Sequence, residues 1–360
     1  MPQPAAFPLN AWYAAGWRVD FTQSMVAKTL CEIPMVLFRR RDGGVSALED
    51  ACPHRLLPLS MGRLENDQLI CGYHGMTFAA SGECVEMPGP DPVTPSKVNC
   101  ARSFPVVERH NMVWVWPGDA AKADPAAVPD LHWADHPDWA WGPCYLHLAC
   151  DYRLVLDNLM DLTHETYVHP TSIGQTHIVE APFEVTADGR WVWLKRFMVD
   201  GVAPPFLAAQ LKRARGLPPE HVDRWQHIRF EAPATITIDV GVAPTGTGAA
   251  EGDFSKGANT QVLNTVTPGK AGEVHYFFTL ARNFATDDVE LTETMRSRNV
   301  EVFLEDKGIL EAQQKSMQAL AGRPLRNFSI DKGGMRARQV IARMVAEEST
   351  NAPSREDQVA

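Results

Sequence analysis

Four residues on two short turns have the types and spacing to hold a redox metal cluster. They stand in Cys52-Pro-His54 and, after sixteen intervening residues, in Cys71-Gly-Tyr-His74-Gly75. Two thiolates on one iron and two imidazoles on the other make a 2Fe–2S centre of the Rieske kind. Zinc also takes two cysteines and two histidines. Zinc fingers, however, pair Cys with Cys and His with His, whereas each turn here supplies one of each. Gly72 and Gly75 leave the second turn open for backbone amides to approach sulfide. Neither turn carries an additional cysteine that could brace it by a disulfide. The expected potential therefore lies near the low end of the roughly −150 to +300 mV range of such centres.

A second constellation lies in Asp157-Asn158-Leu-Met-Asp161-Leu-Thr-His164-Glu-Thr-Tyr-Val-His169-Pro170. On a continuous helix Asp157, Asp161 and His164, at i, i+4 and i+7, share one face. His169 would lie about 140° further round from His164, so both reach one metal only if the helix ends between them. Pro170 favours that ending, because the residue before proline avoids the α region. Two histidines and one carboxylate on one face of an iron form the facial triad of oxygen-activating enzymes. Asp306 is the expected carboxylate. Its helical neighbours Val302, Phe303, Ile309 and Leu310 are apolar, and a buried carboxylate there needs a compensating cation. Glu305 is expected to face solvent with Arg298, Glu301 and Gly308.

The elements that must carry these residues fall into two groups. Residues 1–118 read as short strands broken by turns, such as Met35 to Arg39 before Asp42-Gly43-Gly44, which predicts an all-β domain. Residues 119–144 read as a linker or covering segment. Residues 145–345 predict a catalytic α+β domain, an antiparallel sheet flanked by helices. Within it, Tyr152 to Val168 and 288–320 read as helices, and Trp191–Phe197, Thr235–Val242 and Val274–Leu280 as strands. Gly241 to Ala258 reads as a loop, and 346–360 as a flexible tail.

Composition narrows the function. A formal charge of −10 over 360 residues argues against nucleic acid, which is bound through clustered Lys and Arg. The run Arg39-Arg40-Arg41 reads as a solvated turn. No stretch approaches the ~18 apolar residues of a membrane span, and the first residues lack the pattern of a signal peptide, so a cytoplasmic location is the default. Seven cysteines, an odd number, make a poor disulfide framework. No Gly-x-Gly-x-x-Gly follows a strand, so neither bound nicotinamide nor flavin is expected.

Both metal motifs, in this order, resemble the Rieske-type aromatic ring oxygenases. The stretch Cys150 to His169, with Ala203-Pro-Pro-Phe206, Asp223-Arg-Trp-Gln226 and Ala281-Arg-Asn-Phe284, is similar to vanillate O-demethylase oxygenase subunits. The resemblance implies that Cys52, His54, Cys71 and His74 hold one 2Fe–2S cluster. It implies that His164, His169 and Asp306 hold one mononuclear Fe(II), with Asn158 near the iron as a non-ligand. Asp161 would hydrogen-bond His164 and connect it to a cluster histidine of the neighbouring subunit in a head-to-tail homotrimer. Electrons would come from a separate flavin- and ferredoxin-type reductase. With O2, the implied reaction converts vanillate to protocatechuate and formaldehyde. Related enzymes hydroxylate ring methyls, including sulfonated ones, and a pure electron carrier is a more distant reading. A benzoate-like carboxylate needs a donor, and Arg196, Arg224, Arg229 and Arg282 remain open.

Overall fold

In a computed structural model, which describes residues 7–22, 24–89, 100–174, 176–216 and 221–350, the chain divides into two compact units. Of the described residues, one is formed by those up to 129 with 267–271 and 348–350, the other by 130–266 and 272–347. Segment 119–144, expected as a linker, is shared between them. It carries three single 3-10 turns, at Ala120–Lys122, Pro125–Ala127 and His132–Ala134. Of the tail, residues 346–350 are helical and 351–360 lie outside the described residues.

The first unit is all-β. Its strands are β1 (Tyr13–Trp17), β2 (Val26–Leu30), β3 (Ile33–Arg39), β4 (Val45–Glu49), β5 (Arg63–Glu65), β6 (Gln68–Ile70), β7 (Thr77–Phe78), β8 (Cys84–Glu86), β9 (Ser103–Phe104), β10 (Val106–Arg109) and β11 (Met112–Val115). They form three sheets, β1-β11-β10, β2-β3-β4-β9 and β5-β6-β7-β8. Val36, Phe38, Leu48, Leu59, Leu69 and Phe78 build one apolar cluster, which also takes in Cys52 and Cys71. The cluster-loop cysteines are thus anchored in the core. Arg39 is not part of a solvated turn: it ends β3 and bonds Phe21 O at 2.8 Å and Glu108 at 3.1 Å.

The second unit is built on a seven-stranded antiparallel sheet of order β12-β18-β17-β16-β15-β14-β13. Its strands are β12 (Cys144–Leu148), β13 (Phe183–Asp188), β14 (Trp191–Gly201), β15 (Val222–Glu231), β16 (Thr235–Pro244), β17 (Ala258–Pro268) and β18 (Val274–Arg282). Gly241 lies inside β16, not in the predicted loop, which shortens to 245–257. The tight packing of the Trp225 ring explains it: a Cβ at Gly241 would come within 1.8 Å of that ring.

Among the described residues six helices accompany this sheet: α1 (Tyr152–Met160), α2 (Glu165–Val168), α3 (Thr176–Glu180), α4 (Pro205–Arg215), α5 (Val289–Ala319) and α6 (Lys332–Thr350). The predicted 152–168 helix is broken at Asp161 (φ −129°, ψ 97°), and a 3-10 turn, Leu162–His164, follows. The Asp161 carboxylate accepts from Thr163 N at 2.9 Å and so restarts the chain as an N-cap. Helix α5 is fixed to the sheet through Phe303, which meets Tyr276 and Phe278 edge-on at 5.2 and 4.6 Å. Helix α6, absent from the sequence reading, packs against α1 through two glycines. A Cβ on Gly333 would meet Met160 O at 2.8 Å, and one on Gly334 would meet Asp157 Oδ1 at 2.9 Å.

Candidate metal centres and cavity

The two cysteine turns share one backbone design. Cys52 N donates to Leu57 O and Leu56 N to Cys52 O, each at 2.8 Å; Cys71 N donates to Met76 O at 2.8 Å and Gly75 N to Cys71 O at 3.1 Å. Residue i+4 of each turn is left-handed, Leu56 at φ 58° and Gly75 at φ 74°. Glycine takes that conformation without cost and leucine does not, so the first turn holds a strained residue that the second avoids. Both cysteines are buried, while His54 and His74 are exposed. The Cys52 thiol lies within hydrogen-bonding reach of Cys71, and burial raises its pKa above the ordinary value. The imidazoles of His54 and His74 approach to 4.7 Å between centroids. Two sulfurs on the buried side and two imidazoles on the outer side fit the asymmetric ligand set of a Rieske centre.

In the second unit His164, His169 and Asp306 offer ligand atoms within 4.8 Å of one another. Asp306 Oδ1 lies 3.3 Å from His164 Nε2 and 3.2 Å from His169 Nε2. Each other ring nitrogen is engaged by oxygen: His164 Nδ1 with the Asp161 carbonyl at 2.5 Å, His169 Nδ1 with Glu305 Oε2 at 2.6 Å. That outer bonding leaves both Nε2 atoms turned to one point, as metal-binding histidines require. The residues therefore fit a mononuclear iron.

Burial would raise the Asp306 carboxyl pKa, but the two histidines outweigh it and hold the group far below the carboxylate range. For His164, burial disfavours the cation, and the hydrogen bond and charge of Asp306 overcome this, raising its pKa to about 9.

Several sequence expectations change here. Asp157 does not join Asp161 and His164 on one face; it pairs with Arg338 through Nε at 2.8 Å. The break at Asp161 turns them apart. Asp161 reaches His164 through its carbonyl, not its carboxylate. Glu305 is not merely solvated, because its carboxylate receives His169. Ile309 is 53% exposed, so the apolar neighbours of Asp306 reduce to Val302, Phe303 and Leu310. Asn158 Nδ2 donates to Asp306 Oδ1 at 3.0 Å.

The three groups open onto a cavity of about 240 Å³. Its sheet-side wall comes from one face of neighbouring strands: Arg224 and Gln226 on β15, Ile238 and Val240 on β16, and Thr260 and Val262 on β17. Gln226 pairs with Val240, and Val240 with Thr260, and side chains two apart share a face. Of the four candidate arginines only Arg224 lines the cavity. Its Nη2 is 3.1 Å from Glu165 Oε2, and both side chains are buried. Arg196 bonds Thr163, Arg229 bonds Asp130 O, and Arg282 bonds the carbonyls of Phe284, Ala285 and Asp288. The lining residues Glu165 and Asn299 were given no role by the sequence, which has no signal for facing beyond the i, i+4 rule, and Glu305 was expected in solvent. Among the described residues no helix is long and apolar enough to cross a membrane, and none of the seven cysteines is in a disulfide.

Two family profiles match this chain: the Rieske [2Fe-2S] domain over residues 11–105, and the vanillate O-demethylase oxygenase C-terminal domain over residues 148–347. The chain is 43% identical to a vanillate O-demethylase oxygenase subunit of a Pseudomonas species, covering 95% of this chain and 96% of that protein. It is 36% identical to a toluene-4-sulfonate monooxygenase iron-sulfur subunit of Comamonas testosteroni, over 96% of this chain and all of the relative. The crystal structure of dicamba monooxygenase bound to 3,6-dichlorosalicylic acid superposes with a TM-score of 0.87 at 33% identity, covering 95% and 98% of the two chains. Fold and site together define the terminal oxygenase of a Rieske monooxygenase system. Within that class, the chain belongs to the vanillate O-demethylase oxygenase family.

Proposed function

We propose that this oxygenase removes the methyl group from a methoxybenzoate, converting vanillate to protocatechuate and formaldehyde. One O2, two electrons and two protons are consumed and one water is released. The observation that carries the reading is the convergence of His164 Nε2, His169 Nε2 and Asp306 on the wall of a ring-sized, largely apolar cavity. In this reading those three residues hold Fe(II), and Cys52, Cys71, His54 and His74 hold the 2Fe–2S cluster. Iron with a facial triad supplies oxygen activation at open coordination positions.

The chain's own residues prepare that chemistry. The Asp161 carbonyl and Glu305 fix the two imidazoles. Asn158 steadies Asp306 as a positioning residue. Ile238, Val240, Val262 and Leu280 keep the cavity dry, which strengthens every polar interaction inside it. Electrons reach the cluster from a separate reductase, an arrangement supported by the relatives' naming as components of multi-protein systems. By family resemblance the protein works as a head-to-tail homotrimer, with Asp161 linking His164 to the next subunit's cluster.

Reducing the protein anaerobically, adding vanillate and admitting oxygen should yield formaldehyde close to one per mononuclear iron. Product from toluenesulfonate but not vanillate would move the reading to methyl hydroxylation. No product from either, with iron and sulfide present, would sink both. Glu305→Ala should lower iron affinity roughly 10- to 100-fold, the usual cost of losing an outer-shell partner. Competition with a chelator measures it, and unaltered affinity would remove Glu305 from the site.

A further inference from the structure

Among the described residues of the cavity lining, the buried Ser172 Oγ, Gln226 Oε1 and Asn299 Nδ2 have no hydrogen-bond partner. Buried polar groups are nearly always paired, so such atoms mark places where a water or a ligand completes the bonding.

Gln226 is the most constrained of the three. It is fully buried on β15, and its Nε2 lies 3.0 Å from both carboxylate oxygens of Glu165. A carboxylate only accepts, so the amide must turn its nitrogen to Glu165 and its oxygen elsewhere. Glu165 is itself held by Arg224. The orientation of Gln226 Oε1 as a lone acceptor is therefore set by its neighbours, not by the amide's freedom to flip. Asn299, 8% exposed, stands on α5 seven residues before Asp306. That places it on the same helix face, about 10.5 Å along the axis from the iron-binding carboxylate. A ligand that reaches Gln226 Oε1 must bring it a donor, because an amide oxygen only accepts.

We propose that Gln226 is a specificity-determining residue whose Oε1 accepts a hydrogen bond from a free hydroxyl on the substrate ring. Asn299 Nδ2 donates to an oxygen acceptor of the same molecule. This inference rests on the aromatic O-demethylase reading above and deepens it.

The test is equilibrium binding to the holoprotein of 4-hydroxy-3-methoxybenzoate and of 3-methoxybenzoate, which differ only in the hydroxyl. Wild type should bind the hydroxylated ligand at least about tenfold more tightly, as an acceptor left unpaired by the other would dictate. In Gln226→Leu the ratio of the two dissociation constants should fall to near one. If Gln226 only braces Glu165, both ligands weaken alike and the ratio survives, which overturns the proposal. Equal binding by wild type overturns it without any variant, so a poorly folding substitution cannot hide the answer. Binding of neither ligand by wild type overturns the methoxybenzoate reading itself, a result distinguishable from equal binding of both.

Discussion

An Asp306→Ala variant should purify with the red-brown absorbance of its 2Fe–2S cluster intact, less than about a tenth of the mononuclear iron, and turnover lowered by on the order of 10³ or more. Asp306 is the carboxylate on which both histidine Nε2 atoms converge, at 3.3 and 3.2 Å. Two neutral imidazoles remain in the variant, and they lack the charge that a hard divalent iron needs. The residues proposed to hold the cluster lie between 52 and 74, in the other compact unit, so cluster content serves as an internal control for folding. Iron and acid-labile sulfide analysis of the same sample separates the two losses. Full mononuclear iron in Asp306→Ala would refute the proposed ligand set.

Asp161→Ala should retain both metals yet lose at least about two orders of magnitude in multiple turnover. The contact to His164 is made by the backbone carbonyl, which the substitution keeps, so the iron ligand stays oriented. The lost side chain caps the 3-10 turn through Thr163 N, and loss of such a cap costs about 1 kcal/mol of stability. That cost cannot stop turnover by itself. A large loss with both metals present would mean that the carboxylate carries the connection to a neighbouring cluster. The decisive measurement is the rate at which the pre-reduced cluster reoxidises when substrate and O2 are added. Wild-type reoxidation in Asp161→Ala would reduce this aspartate to a local cap.

How much of this was legible before any coordinates depended on the distance between partners. The cluster turns were readable because each is a closed local loop: Cys52 bonds Leu57, and Cys71 bonds Met76, within five residues. His164 and His169 were readable because Pro170 ends the short α2 just before it can carry His169 away. Asp306 was found from afar, since an acid among Val302, Phe303 and Leu310 has to be compensated. The same reasoning failed one residue earlier. Glu305 receives His169 from 136 positions away, and no pattern on its own helix reveals that partner. Asp157 failed likewise, because Arg338 lies 181 positions away on a helix the sequence reading did not contain.

The sequence by itself therefore determined a 2Fe–2S domain of the Rieske kind, the order of an all-β unit before an α+β unit, and the family. Ligand types and short spacings follow from covalent geometry, which holds wherever the turn is placed. Only the tertiary structure decided where the 152–168 helix breaks, which arginine faces the cavity, and which side chains around it lack partners. Those depend on strand register and on helices packed from distant parts of the chain. A one-residue change of register would turn Gln226 and Arg224 away from the cavity and Trp225 into it.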